Sequence, residues 1–521
     1  MAQNLIGPLV LPDQSNQNRL PARPAYRTGA LAAALAVMTA IRFYVGAHTG
    51  LSGDEAYYRL WSLGPALSYL DHPPFIAWII AWGRGLAGDT TLGVRLLGPL
   101  IAVVGTIVVF RTAELLFDRE MARKAAWFLL AMPLLSVGTV IVTPDLPSVL
   151  FYGLVVLCLA ELDRTQNPNW WLAVGVCAGL GLVSKYTNLF AGAAIVLWLA
   201  LVPQNRRWFA TPQLWFGGLI AGLIFAPVLA WNARNGWSSF SKQFGRVGET
   251  AGFNPVYFLE FLGSYAGLAS PVIAGLAVVG LCQIVGRARR SGSSRDWLIV
   301  CSVLPMLGYF AFHSLHGRVQ ANWLAPIYPL LAMTAATGLS AIRDQAQRRR
   351  VALFAVAFGL ATTLVIFVHA VHPILPLKKD PVEQMRGWPS FGDAVDRVRI
   401  EHGAKWLAVA HYTTAGELAF ALKDRVPVVP LTERIRYENR PEFSLAMAAA
   451  PALFVELERR VDEAALRACF SGVRKLPDIA RKPDSGSPVA YIAYLLTGMI
   501  PNCQMDGLSE GPLRVVNAPV R

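Results

Sequence analysis

The chain has 521 residues, of which 54% are hydrophobic and only 15% charged, where a soluble globular domain carries about 25% charged residues. That excludes an ordinary soluble domain and points to a membrane protein. The net charge of +14 then reads as cytoplasmic loops obeying the positive-inside rule, not as a nucleic-acid footprint.

Residues 1–27 are polar and proline-rich and read as a cytoplasmic N-terminal tail, with no convincing cleavage site before the first apolar run. Runs long enough to cross a bilayer follow near 28–47, 92–112, 125–142, 146–162, 170–184, 187–203, 213–231, 258–286, 297–313, 321–342 and 351–371, giving about eleven spans. The apolar stretch 74–88 is short and starts behind two prolines, so it is expected to be an interfacial helix. Arginine clusters orient the spans. Arg19, Arg23 and Arg27 precede the first, and alternate loops carry Arg119, Arg123 and Lys124, then Arg164, then Arg206 and Arg207, then Arg287 to Arg295, then Arg343 to Arg350. All of these fall on the cytoplasmic side if 74–88 does not span.

The opposite, outer side then collects the polar residues that look out of place in so oily a chain. The first outer loop holds Asp54, Glu55, Tyr57, Tyr58, Asp71 and His72. Asp145 sits in a later turn, Lys185 in another, Arg234, Lys242 and Arg246 in a longer loop, and His313, His316, Arg318, Gln320 and Asn322 between the ninth and tenth spans. Simpler roles are open to several: a helix cap for Asp54 and Glu55, a turn for Asp145, an interfacial cation for Lys185. The aromatics Tyr57, Tyr58, Trp61, Trp78 and Trp82 suit an interface belt. Asp71, His72, His313 and His316 are the only candidate ligands for a divalent cation, and they lack the spacing of a known metal motif.

Charged residues become frequent after 372, and β-type runs at 406–412, 426–431, 452–457 and 489–496 alternate with helix-like 414–423 and 461–469. Residues 373–521 are therefore expected to form a small extracytoplasmic α/β domain behind a transmembrane domain at 28–372. Within it, Cys469 and Cys503 are candidates for a disulfide in an oxidising compartment.

An outward-facing acidic pair beside a membrane, with cations in neighbouring loops, suits transfer of a group from a lipid-linked phosphate. A carboxylate takes the proton of an acceptor hydroxyl, and Lys or Arg neutralises the departing phosphate. The motif "GDEAYY" at 53–58 followed by "YLDHPPF" at 69–75, with "TPDLP" at 143–147 and "NWLAPIYP" at 322–329, resembles the GT-C superfamily of integral-membrane glycosyltransferases. Within it, the likeness is to the branch holding protein O-mannosyltransferases, the lipid A aminoarabinose transferase and rhizobial galacturonosyltransferases. It covers roughly residues 28–345 and implies a polytopic α-helical fold.

The resemblance implies an inverting transferase of a bacterial inner membrane with its site facing the periplasm. Its donor would be a polyprenyl-phosphate-linked sugar and its acceptor an envelope glycolipid such as lipid A or core oligosaccharide, with membrane lipids as further partners and no nucleic acid. Asp54 is the expected catalytic carboxylate, with Glu55 and Asp145 beside it. Tyr58, Asp71, His72, Lys185, Arg234, Arg246, His316, Arg318 and Asn322 are candidates for substrate binding. Some relatives have Lys or Glu before the Pro-Pro where this chain has Asp71-His72, which leaves the acceptor and any divalent cation open. The alternatives are a GT-C enzyme acting on protein, a secondary transporter, for which inverted repeats are expected and none is visible, and a non-catalytic scaffold, which gives no reason for the acidic pair.

Overall fold

The computed structural model describes residues 26–248, 252–377, 380–440, 443–483, 486–500 and 515–516. Seven of the described helices are long and apolar enough to cross a membrane: Gly29–His48, Thr91–Leu116, Asp145–Thr165, Pro212–Arg234, Pro271–Ser291, Ser294–His313 and Gln345–Val371. A pair bent by 113°, Tyr186–Leu201 with Pro203–Ala210, makes an eighth if counted as one span. The other expected spans are shorter helices. The 125–142 run is Arg119–Leu130 and Pro133–Val137, broken because Pro133 has no N–H and forces Met132 into extended backbone. Trp170–Leu182 and Ala325–Leu339 are short, and every residue of Tyr328–Leu339 is buried among other helices.

The 258–286 run divides into Pro255–Ala269 and Pro271–Ser291, because Ser270, held before a proline, takes a φ of 70°. Phe75–Ala87 has 13 residues, too few to cross the roughly 30 Å hydrocarbon layer at 1.5 Å per residue. The arginine-bearing loops meet at one end of the bundle. Arg295 reaches Asp163 at 3.7 Å, and Asn205 and Trp198 donate to Ser294. Arg19 and Arg23 lie outside the described residues.

The C-terminal part contains a five-stranded sheet ordered Val428–Pro430, Trp406–Val409, Ala452–Glu456, Val489–Met499, Phe470–Arg481. The first three strands are parallel and the last two pair antiparallel. Trp406–Val409 and Ala452–Glu456 are buried at every position, as parallel strands covered on both faces must be. Phe470–Arg481 had no strand signature in the sequence. It is an edge strand in which Ser471, Arg474, Lys475, Asp478 and Arg481 interrupt the apolar residues, with Pro477 inside a register shift between Leu476 and Ile479, and edges and bulges are where a sheet tolerates proline. Cys469 is disulfide-bonded; Cys503 lies outside the described residues.

The sheet does not stand apart from the membrane bundle. Leu407, Val409, Leu453 and Val455 share one hydrophobic core with Ala56, Tyr57, Trp61, Ile76 and Ile80 of the segment between the first two membrane helices. The helix Tyr412–Ala421 lies so close to Gly53–Leu63 that a Cβ on Gly416 would come 2.6 Å from the Ala56 carbonyl carbon. The opposite face of the sheet, with Trp406, Ala408 and Phe454, packs on Leu466 of Glu463–Cys469.

Candidate functional site

The site begins at the start of the helix Gly53–Leu63. Ser52 caps it by accepting from the Glu55 N–H, and Glu55 reaches back to the Ser52 N–H at 2.9 Å, which is a capping box. Glu55 has no exposed surface. Its carboxylate takes two bonds of 2.7 Å from buried Arg95 and a third, 3.0 Å, from the Val142 N–H. Arg95 also donates to the Gly46, Thr49 and Gly50 carbonyls. Glu55 therefore joins the end of the first span, the loop helix and the strand of chain leading to Asp145. It lines no described cavity, so the expectation of a catalytic role gives way to a scaffolding one. The S-x-x-E spacing at 52–55 was the sequence signal for this.

Asp54, one residue earlier, points the other way and is exposed. It stands where two cavities meet. One, of about 360 Å³, is walled mainly by apolar residues of the first spans, among them Ile101, Val108, Leu130 and Leu150. The other, of about 520 Å³, is lined by Tyr58, His72, Lys185, Tyr309, His313 and Trp323. Asp54, Thr143, Asp145, Gln320 and Asn322 line both. Loop residues far apart in sequence thus converge on one space.

The carboxylates there are held differently. Asp145, in the first turn of its helix, receives Lys185 Nζ at 2.6 Å and Asn322 Nδ2 at 2.6 Å. Asp71 is half-buried under three donors: Arg436, Lys242 at 3.2 Å and the Tyr57 hydroxyl at 3.0 Å. Burial pushes the Asp71 carboxyl up, but the Arg436 and Lys242 charges outweigh it and hold it below the usual carboxylate range. Asp54 accepts one bond, 3.2 Å, from the Tyr412 hydroxyl. Desolvation by the cavity walls raises its pKa, the Tyr412 bond holds it down, and the Asp71 and Glu55 charges raise it further. A carboxylate with a raised pKa and one neutral partner is the better proton acceptor of the three.

Of the other expected contacts, Tyr58, His72 and Asn322 line the cavity. Three do not. Arg234 ends its helix exposed and lines neither cavity. His316 packs on Phe312 and Phe253, and Arg318 pairs on the surface with Glu260 at 2.8 Å. The Arg246 side chain lies outside the described residues. Asp71 serves the scaffold, because its oxygens are taken by Arg436, Lys242 and Tyr57. Of the four candidate metal ligands, His72 and His313 line the same cavity, Asp71 is taken by Arg436, Lys242 and Tyr57, and among the described residues no group of three or more His, Cys, Asp or Glu is placed to hold a metal ion.

Two contributors come from the C-terminal part, where sequence reading placed none. Tyr412 touches Asp54, and burial followed by the Asp54 charge pushes its hydroxyl up to about 12. Arg436 lies over the rings of Tyr57 and Tyr412 while bonded to Asp71. No local motif marks either residue; only the packing of the sheet on the loop brings them there.

Residues 71–231 match the family described as dolichyl-phosphate-mannose-protein mannosyltransferase. Over 278 residues the chain is 25% identical to the lipid A galacturonosyltransferase RgtD of Rhizobium johnstonii, covering 53% of this chain and 58% of that one. Over 327 residues it is 26% identical to the undecaprenyl phosphate-alpha-4-amino-4-deoxy-L-arabinose arabinosyl transferase of Erwinia tasmaniensis, covering 58% of this chain and 56% of that one. The matches thus span little more than half the length of these relatives. The crystal structure of ArnT from Cupriavidus metallidurans bound to undecaprenyl phosphate superposes with a TM-score of 0.62 at 16% identity, over 90% of this chain and 98% of the other. This multi-pass membrane protein thus shares its fold with ArnT and, with a TM-score of 0.51 at 16% identity over 91% of this chain and 40% of the other, resembles the mycobacterial arabinofuranosyltransferase AftD in fold.

Proposed function

We propose that the protein is a glycosyltransferase that moves a sugar from a polyprenyl-phosphate donor to an envelope glycolipid, of the lipid A or core class, at the periplasmic face of a bacterial inner membrane. The observation that carries this is Asp54 at the junction of two cavities, with Asp145 and Asn322 lining both and Lys185, paired with Asp145, lining the one that also holds Tyr58 and His72. A lipid-borne donor and a lipid-borne acceptor each need a greasy channel and a polar end, and their polar ends must meet. The named relatives act on lipid A or on an undecaprenyl-phosphate sugar. All are transferases of glycosyl groups, which speaks against a transporter.

In this reading Asp54 takes the proton from the acceptor hydroxyl as its oxygen attacks the anomeric carbon. The bond from that carbon to the phosphate oxygen breaks, the configuration inverts, and polyprenyl phosphate leaves with the electron pair. Lys185, held on Asp145 beside the polar cavity, faces the phosphate and offsets the charge that develops on it. Tyr58 and His72 line the space left for the sugar.

The test is transfer by purified protein in lipid nanodiscs, with undecaprenyl phosphate carrying galacturonic acid or aminoarabinose as donor and lipid A as acceptor, read by mass spectrometry. A mass increase of one sugar on lipid A that is lost in Asp54→Asn supports the reading. Envelope glycolipids of identical mass in cells with and without the gene, together with inactivity toward both donors in vitro, would sink it.

A further inference from the structure

Arg42 belongs to none of the groups described so far. It lies in the first span, Gly29–His48, within about two turns of its outer end. It is only 3% exposed and lines the apolar cavity below Asp54. One of its nitrogens, Nη2, donates to Ser136 Oγ at 3.2 Å. Nε and Nη1 are buried with no hydrogen-bond partner, and among the described residues no carboxylate forms an ion pair with it.

A guanidinium is always charged and presents five N–H groups. Burying one without a counter-charge is strongly unfavourable, and a span that merely needed to fill this volume would carry Leu or Met. Snorkelling does not account for it, because the side chain is covered by protein and not extended along lipid to the interface. Within a membrane bundle such a residue marks a substrate path, and the partner it lacks must come from the ligand. Its planar fork matches two oxygens of one anionic group. The walls around it (Ile101, Val108, Leu130, Leu134 and Val149 among them) accept hydrocarbon.

We infer that Arg42 is an anion-binding residue that receives the phosphate of a lipid substrate, with the hydrocarbon of that lipid lying in the apolar cavity. Lys185 faces the polar cavity and is already paired with Asp145, so the two cations serve different cavities. The choice of lipid rests on the transferase reading above. Two lipids carry the required chemistry: a phosphorylated glycolipid acceptor, with the donor phosphate left to Lys185, and the polyprenyl phosphate of the donor, in which case Arg42 takes the place given to Lys185.

The experiment measures binding to purified full-length protein of undecaprenyl phosphate, undecaprenol and bis-phosphorylated lipid A, alongside thermal unfolding without added lipid. The inference expects Arg42→Gln to weaken one phosphorylated probe about tenfold or more, with Arg42→Lys intermediate and undecaprenol unaffected. The probe that weakens names the source of the phosphate. It also expects the unfolding midpoint of the lipid-free protein to hold or rise in Arg42→Met, since an unpaired buried charge has been removed. Unchanged affinity of Arg42→Gln for both phosphorylated probes overturns the inference. So does a native protein that binds neither, and so does a lower midpoint in Arg42→Met, which would make Arg42 a structural residue. Asp54→Asn keeps the two readings separable. Phosphate binding through Arg42 in a protein that transfers no sugar would sink the transferase alone; transfer that survives Arg42→Gln with unchanged binding would sink this inference alone.

Discussion

The two faces of the helix Gly53–Leu63 carry the same kinds of side chain to opposite ends. On one face Glu55 and Arg59 are fully buried, Glu55 against Arg95 and Arg59 against Asp89 and Asp424. On the other, Asp54 and Tyr58 open onto the cavities. Adjacent carboxylates thus differ by what surrounds them. A carboxylate bonded to a guanidinium and two backbone N–H groups has little capacity left for chemistry, whereas one that keeps a free oxygen toward a cavity can still take a proton. The same contrast separates Lys185, committed to Asp145, from Arg42, which pairs with no carboxylate among the described residues.

The comparison breaks most visibly at its catalytic end. Asp54→Asn is expected to lower turnover by about 10²–10⁴-fold while the unfolding midpoint stays at the native value. Full turnover in a well-expressed Asp54→Asn protein would take Asp54 out of the mechanism. Glu55→Gln should do the reverse. It leaves Arg95 without its counter-charge, and removing one partner of a buried pair costs about 3–5 kcal/mol of stability. Protein yield and thermal midpoint should fall sharply, with much less loss of turnover per folded molecule than in Asp54→Asn. Equal effects of the two substitutions on both readouts would erase the distinction between the faces.

Lys185→Ala comes next. It removes a charged contact from the polar cavity and leaves Asp145 uncompensated, so use of the polyprenyl-phosphate donor should weaken about 10–100-fold. Unaltered donor affinity and turnover would return Lys185 to a structural role.

Tyr412→Phe tests the contribution of the C-terminal part, and its main effect should be on pH dependence. A base works above its pKa and is lost as pH falls through it. Desolvation already lifts the Asp54 pKa, so activity should fail on the acid side at a higher pH than an ordinary carboxylate would give. The Tyr412 bond holds that pKa down. Tyr412→Phe should therefore move the acid limb still higher while reducing the plateau only severalfold, which is less than a full hydrogen bond to a charge is worth. A pH profile that superimposes on the native one would show that Tyr412 does not tune Asp54. The smallest effect is reserved for Arg234→Ala. Exposed and away from both cavities, Arg234 should be replaceable without change in donor use, and a clear loss in a steady-state assay would restore it to the site.

Much of this molecule could be read along the chain because a bilayer leaves few choices. Helices must satisfy their own backbone, so the apolar runs marked where membrane helices lie, though seven or eight of the described ones, not eleven, are long enough to cross. Of the polar residues between them, Asp54, Asp145, Lys185 and Asn322 are brought together. Proline placed the breaks less legibly: Pro133 and Pro271 divide runs that hydropathy alone joins. The sheet strands buried on both faces were visible as β-branched and aromatic runs. The edge strand Phe470–Arg481 was not, because an edge carries polar residues and a proline-bearing bulge that mimic a loop.

What the sequence could not decide was which of two neighbouring carboxylates faces the substrate, since helical rotation between consecutive residues is about 100° and only the position of Arg95, 40 residues on, assigns Glu55 to the protein. Nor could it bring Tyr412 and Arg436 to Asp54 and Asp71 across more than 350 residues. That contact depends on a shared hydrophobic core between sheet and loop, and on a glycine at 416 that lets two helices touch. Composition and periodicity report the solvent each segment prefers. Which side chains meet is a property of packing, and packing is settled only when the whole chain is in place.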